Sequence, residues 1–254
     1  PLVVLVDENS ASAAEVLAGA LQDHDRALLV GRRTFGKGLV QQPIALQDGG
    51  ELRLTIARYY TPAGRCIQKP YGTDAAAYQQ ELATRQRHGE LSSADSVPVA
   101  KELRFLTDHG RAVYGGGGIV PDVFVARDTV QNSAYFAHLC RRGVLRAYAL
   151  AYYQHHKAAL GASSAAQYQA TFQLSDAELA HVGRLGQLAG LPAGAAALRR
   201  CAPLVRHYLK AYIAHSAYGP EAARAVLRED DAELQQATQA VKDNTALVAL
   251  LQQS

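Results

Sequence analysis

The chain has no methionine and no tryptophan, and Pro1 opens directly on the apolar run Leu2-Val3-Val4-Leu5-Val6. A fragment or a processed product is therefore the expectation. No stretch approaches the eighteen or so consecutive apolar residues of a membrane helix, and no basic-then-apolar leader opens the chain. Cys66, Cys140 and Cys201 are far apart, and none belongs to a CxxC or a Cys/His cluster with metal-ligand spacing. A structural metal is not expected, and the odd count leaves open whether any two of them pair. A net charge of +3 over 254 residues is weak, and no run of Lys and Arg is interleaved with aromatics. Nucleic acid is accordingly excluded as an expected partner. What is present, 48% hydrophobic and 19% charged residues, is enough for one good core or two modest ones in a globular chain.

The order of patterns sets the fold class. Residues 2–6 are a fully apolar, β-branched run of the kind buried on both faces of a parallel sheet. Apolar residues at Val16, Leu17, Ala20 and Leu21 recur at helical spacing over 13–21, and a second apolar run, Ala27-Leu28-Leu29-Val30, closes at Gly31. Strand, helix and strand joined by short connections make a right-handed βαβ unit. Strand-like composition over 40–46 and 52–60 around Gln47-Asp48-Gly49-Gly50 predicts a hairpin. Residues 61–113 are polar and punctuated, so loops and one short helix are expected there. Four glycines at 115–118 lead through Ile119-Val120-Pro121-Asp122 into a last strand over 123–126. From 129 to 254 the composition turns to Ala, Leu, Gln and Arg with helical periodicity. Breaks fall at Gly161, Gly190-Leu191-Pro192 and Gly219-Pro220, and Ser175-x-x-Glu178 reads as a capping box. The expectation is an α/β segment over 1–128 followed by a helical region over 129–254.

Ser12 stands at the first strand-to-helix junction, where a hydroxyl can project from the sheet edge and helix amides can face developing negative charge. Ser12-Ala13-Ala14-Glu15 is equally a capping box, and spacing alone favours the cap. Nucleophilic work would need a base. His24 lies at the far end of the same helix, about 18 Å away at 1.5 Å per residue, which suits a helix terminus better than catalysis. Lys37 follows the second parallel strand and returns to the same sheet edge as Ser12, and Ser-Lys pairs are a known variant of the serine triad. Such an amine must be neutral, which asks for burial or nearby positive charge, and Arg32 and Arg33 are at hand for the latter. Gly31 to Lys37 also fits most of the phosphate-loop pattern GxxxxGK[ST]. Gly38 cannot supply its hydroxyl, however, and Pro43 and a hairpin follow where a long helix is required, so no nucleotide is expected.

Taken together, Asn9-Ser10-Ala11-Ser12-Ala13-Ala14-Glu15, Leu17-Ala18-Gly19-Ala20-Leu21 and Thr34-Phe35-Gly36-Lys37-Gly38-Leu39-Val40-Gln41 closely resemble the C-terminal processing (tail-specific) peptidase family. The resemblance runs on through Leu46-Gln47-Asp48-Gly49-Gly50, Tyr60-Thr61-Pro62-Ala63-Gly64-Arg65 and Gly117-Gly118-Ile119-Val120-Pro121-Asp122, about the first half of the chain in order. It implies Ser12 as nucleophile, with Ser10 a weak runner-up, Lys37 as general base, and Gln41 holding the amine. For Lys37 and Gln41 to touch, a short helical turn is predicted over 37–41, since along a strand they would lie about 13 Å apart.

The Ala13 amide is implied as one oxyanion-hole donor, Tyr60, Thr61 and Pro62 as substrate contacts, and Asp23 as structural. The implied fold is the carboxyl half of a crotonase/Clp-like core. An upstream half and a PDZ domain are expected outside this chain, leaving the isolated fragment inactive or nearly so. The activity implied is serine-type endopeptidase cleavage near protein C-termini, without cofactor or metal and in an extracytoplasmic, periplasmic setting. Its partners are protein or peptide substrates, with self-association through the helical tail. The competing expectation is an inactive peptide-binding scaffold of the same fold, which would be expected to have lost Ser12 or Lys37.

Overall fold

The computed structural model describes residues 2–72, 75–192 and 194–243. Parts of the helical expectation at 193 and beyond 243 lie outside these. The chain divides into two units: one comprises Pro1–Arg127 together with the stretch from Ala232, the other Asp128–Asp231. The helical region expected over 129–254 therefore does not form one body. Among the described residues no helix is long and apolar enough to cross a membrane.

In the first unit β1 (Val3–Val6), α1 (Ala13–Asp23) and β2 (Leu28–Gly31) form the expected βαβ unit, with β1 and β2 parallel and Val6 opposite Gly31. The last strand expected over 123–126 shrinks to β7 (Val123–Phe124), which extends the sheet in the order β1-β2-β7. All four residues of β2 are buried, as its unbroken apolar run requires. Leu29 faces Ala18 of α1 with Val6, Ile67 and Ile119, while Leu28 and Val30 face Ala237 and Ala240 of the helix Ala232–Asp243. Gly19 lets α1 lie close to its neighbours, because a Cβ there would stand 2.7 Å from the Thr61 methyl.

β3 (Leu39–Ala45) and β4 (Glu51–Arg58) form the expected antiparallel hairpin, closed where the Leu46 amide donates to the Gly50 carbonyl at 2.9 Å. Residues 61–113 hold more order than expected. They contain α2 (Ala75–Arg87), thirteen residues long, and a hairpin of β5 (Arg104–Leu106) and β6 (Ala112–Tyr114). Strands of three residues carry too little alternation to be seen in sequence, and this pair is fixed by its turn, where the Thr107 amide donates to the Arg111 carbonyl at 3.0 Å.

The second unit is helical, from α3 (Ala134–Arg141) and α4 (Val144–Gly161) through α5 (Ala165–Thr171), α6 (Asp176–Leu188) and α7 (Ala195–Arg200) to α8 (Ala202–Tyr218) and α9 (Pro220–Leu227). The helix Ala232–Asp243, α10, completes the numbering. The helix ends fall where the sequence breaks predict, and Ser175 forms its capping box with Glu178. The core is built from Leu139, Leu145, Val182, Val205, Leu209, Ile213 and Val226.

Acidic and basic groups also join the α1 end to later loops. Asp25 accepts from the His109 amide at 2.8 Å and from Arg111 Nε at 2.5 Å. Burial alone would raise the Asp25 carboxyl, but these bonds and the Thr107 hydroxyl hold it below its ordinary value. A carboxyl depressed in the folded state stabilises the fold above its unfolded pKa, about 3.9, and that contribution is lost as pH falls through the folded value. Urea unfolding at pH 6 and pH 3 is therefore expected to show an acid loss of stability that is smaller in Asp25→Asn. An unchanged loss in that variant would remove Asp25 from the acid response.

Candidate active site

Ser12 is the N-cap residue of α1 and is exposed, with φ 58° and ψ −123°. Only Asp25 joins it, among the described non-glycine residues, in having positive φ. Strain of this kind costs about 1–3 kcal/mol and gathers at sharp turns that present a side chain. The Ser12 side chain faces the Glu15 amide in the capping-box arrangement yet makes no capping hydrogen bond. That amide donates to the Ser12 carbonyl at 2.9 Å. Ser10, the runner-up, is occupied: its hydroxyl donates to Asp7 Oδ1 and accepts from the Asp7 amide, both at 3.0 Å. The Ala13 amide, first in the helix, makes no hydrogen bond among the described residues.

Glu15 is the hub of the site, and sequence reasoning gave it only the role of cap partner. It is fully buried. Its Oε1 accepts from the Thr34 hydroxyl at 2.5 Å and the Gly36 amide at 2.6 Å; its Oε2 accepts from the Ser12 amide at 2.9 Å and the Lys37 amide at 2.8 Å. The amides of Ser12 and Lys37 thus share one acceptor atom. The structure brings the two backbone positions together through a side chain that neither motif reading had assigned to that task.

The segment bearing Lys37 is pinned from its other side by α2. Arg85 Nη1 and Nη2 donate to the carbonyls of Thr34 and Arg33 at 3.0 and 2.6 Å, while its Nε binds Glu90 Oε1 at 2.9 Å. The Thr34 hydroxyl also accepts from the Ile119 amide at 2.7 Å. Three expectations fail in this region. Lys37 is exposed and not buried. Arg32 and Arg33 are not free cations beside it, because both are buried against carboxylates: Arg32 with Glu8 and Glu233, Arg33 with Glu90 and Glu81. The helical turn over 37–41 is absent. Gln41 is exposed on β3 opposite Thr55, because the hairpin ladder and the bond from the Tyr59 amide to the Gly38 carbonyl (2.8 Å) hold this stretch extended. A register shift between Val40 and Gln41 is the only irregularity in that ladder.

The expected substrate residues divide. Tyr60 and Pro62 are exposed, but Thr61 is buried with its methyl toward Gly19, and its hydroxyl oxygen has no partner. Thr61 belongs to the core contact with α1 and not to a substrate surface. Asp23 is structural as expected: it is buried, pairs with Arg65, and accepts from the Ala63 amide at 2.9 Å. His24 is exposed and bonds Asp108 at 2.7 Å, which raises the imidazole pKa. Among the described residues no group of three His, Cys, Asp or Glu side chains could hold a metal ion.

Residues 1–75 match the model of Peptidase family S41, and residues 135–219 match a model described only as a family of unknown function. The carboxyl-terminal-processing protease of Synechocystis sp. (strain ATCC 27184 / PCC 6803 / Kazusa) is 56% identical over 107 residues, 42% of this chain and 24% of that protein. The carboxy-terminal-processing protease of Bartonella bacilliformis is 45% identical over 96 residues, 38% and 22% of the two chains. The chloroplastic C-terminal processing peptidase of Tetradesmus obliquus is 59% identical over 69 residues, 27% and 15%. A solved photosystem II D1 C-terminal processing protease aligns with TM-score 0.31 and 34% identity over 51% of this chain and 22% of that one. The match covers less than a quarter of the length of each of these proteins.

Proposed function

We propose, from the Peptidase family S41 match of residues 1–75 and the geometry at the α1 N-terminus, that this chain carries the nucleophile and the base of a serine-type peptidase acting near protein C-termini. The observation that carries the reading is the strained, exposed Ser12 tied to Lys37 through Glu15. Ser12 Oγ attacks the scissile carbonyl, Lys37 takes its proton and returns it to the leaving amine, and water then hydrolyses the acyl-enzyme. The Ala13 amide at the helix terminus faces the developing oxyanion. Gln41 enters the site only if the start of β3 rearranges, and Lys37 must lose its solvent exposure. The α/β part is proposed as the carboxyl half of a crotonase/Clp-like core over 1–128, joined by α10, with the helical residues 129–231 as an appendage that mediates self-association. Protein substrates and an extracytoplasmic, in bacteria periplasmic, location complete the proposal.

The exposure of Lys37 and the strand position of Gln41 favour a second reading, that this chain by itself is an inactive scaffold of the same fold. A fluorophosphonate separates the two, because it reacts only with an activated serine. In the full-length protein, labelling mapped by mass spectrometry is expected at Ser12 and is expected to vanish in Lys37→Ala. Labelling elsewhere, or none in the native protein, sinks the catalytic reading and leaves the scaffold.

A further inference from the structure

The loops that carry Ser12 and Lys37 leave the neighbouring parallel strands β1 and β2, and Glu15 is not the only buried acid that ties them. Glu8 stands in the first loop, before Ser12, and is buried; its Oε2 accepts from Arg32 Nε at 2.7 Å. Arg32 opens the second loop, before Lys37, and is buried as well; its amide donates to the Val6 carbonyl at 3.0 Å. Further along, the Phe35 amide donates to the Ser10 carbonyl at 2.9 Å. The two loops are thus joined at their roots by an ion pair and nearer the site by backbone.

Glu8 does not serve Arg32 alone. Its Oε1 accepts from Arg127 Nη1 at 3.0 Å, so two guanidiniums meet on one buried carboxylate. A second carboxylate comes from the far end of the chain. Glu233, half-buried in the first turn of α10, accepts from Arg32 Nη1 at 2.5 Å, and the same nitrogen donates to the Val125 carbonyl at 3.1 Å. The packing of α10 on the sheet has its own basis, because Ala237 and Ala240, further along the helix, lie against Leu28 and Val30. What Glu233 adds is charge. With it the cluster holds two guanidiniums and two carboxylates; without it two cations share the one buried acid, a state that a shift of either loop would relieve.

We propose that Glu233 is a positioning residue, through which α10 fixes the Glu8–Arg32 pair and with it the spacing of the Ser12 and Lys37 loops. The proposal deepens the peptidase reading and rests on it for its purpose. A serine gives its proton to a lysine only when the two come within hydrogen-bond reach, and a misplacement of about 1 Å costs about a hundredfold in rate. Glu15 aligns the amides of Ser12 and Lys37 from inside the site. Glu8, Arg32 and Glu233 set the loop roots from behind it, so a side chain outside the site, on the last described helix, governs the rate.

Glu233→Gln keeps the size of the side chain and an acceptor oxygen and removes only the charge. In the full-length protein, fluorophosphonate labelling of Ser12 is expected to slow by about tenfold in this variant, a fraction of the cost of a full ångström. Digestion of an unfolded reporter is expected to lose kcat by the same factor, with KM within about twofold. Glu233→Asp, which keeps the charge on a shorter arm, is expected to label at a rate between those of the native protein and Glu233→Gln. Amide hydrogen exchange supplies a readout that needs no chemistry. Exchange is expected to quicken over 7–12 and 32–38 in Glu233→Gln and to stay unchanged over 236–243. Labelling at the native rate in Glu233→Gln, or faster exchange confined to α10, overturns the proposal, because Glu233 would then only anchor its own helix. Faster exchange in both loops without labelling of Ser12 in the native protein would keep the positioning role and discard the peptidase reading.

Discussion

Replacing Ser12 by glycine is expected to stabilise the protein by about 1 kcal/mol while abolishing peptide cleavage. The reasoning starts from φ 58° and ψ −123°, a conformation that glycine adopts freely and an L-residue adopts under strain. A serine kept at such a position for its cap would lose about 1 kcal/mol on substitution by alanine, because a helix amide would go unpaired, and a few tenths of that on substitution by glycine. Here the Ser12 hydroxyl makes no capping bond, so glycine removes strain without removing a partner. Ser12→Ala keeps both the strain and the helix, and is expected to change stability by less than about 0.5 kcal/mol while cleavage falls by about a thousandfold or more. Urea unfolding of the three forms, paired with digestion of an unfolded reporter by the full-length protein, decides between nucleophile and cap. A glycine variant less stable than the native chain would return Ser12 to the role of cap.

Glu15→Ala is expected to destabilise the α/β unit by about 3–5 kcal/mol, a large part of the stability of a typical domain. Four donors converge on this one buried carboxylate, from Ser12, Thr34, Gly36 and Lys37. A buried donor left unsatisfied costs about 1–3 kcal/mol, and relaxation toward solvent at the exposed Ser12 and Lys37 offsets part of the total. The isosteric Glu15→Gln should recover less than half of the loss. Its amide NH₂ would face two of the donors, so volume is restored and acceptor capacity is not. Because the same oxygen binds the amides of Ser12 and Lys37, even a folded Glu15→Gln is expected to lose at least about a hundredfold in kcat/KM, with a smaller change in KM. Denaturant unfolding and steady-state kinetics on the same preparation test both halves. Full activity in a folded Glu15→Gln would show that the hub is structural only.

Much of this molecule is written in contacts that reach no further than a helical turn or a hairpin. The apolar run of residues 2–6, the periodic Val16, Leu17 and Leu21, the Asp48-Gly49-Gly50 turn and the Ser175 capping box are local in that sense. They predict strand, helix, hairpin and helix start where the structure has them. The blocks around Ser12 and Lys37 were legible for a different reason, as matching residues at a matching separation. Neither kind of signal reports what a side chain meets from elsewhere in the chain.

That limit accounts for each failure. Lys37-x-x-x-Gln41 can be spaced for a helical turn or for a strand, and the ladder to β4, ten or more residues away, selects the strand. Arg32 and Arg33 look available as neighbours of Lys37 until Glu8, Glu90 and Glu233 reach them from distant segments. Thr61 sits in a motif that reads as surface, yet the close approach of α1 at Gly19 buries it. Local patterning of apolar, turn and cap residues determined the first strand, helix and hairpin and the later helix ends from the sequence alone, and the matching blocks singled out Ser12 and Lys37. The Glu15 hub, the docking of α10 on β1 and β2, and the meeting of Glu8, Arg32 and Glu233 were decided by tertiary structure. Their partners lie tens to hundreds of residues apart, and only the packed chain pairs them.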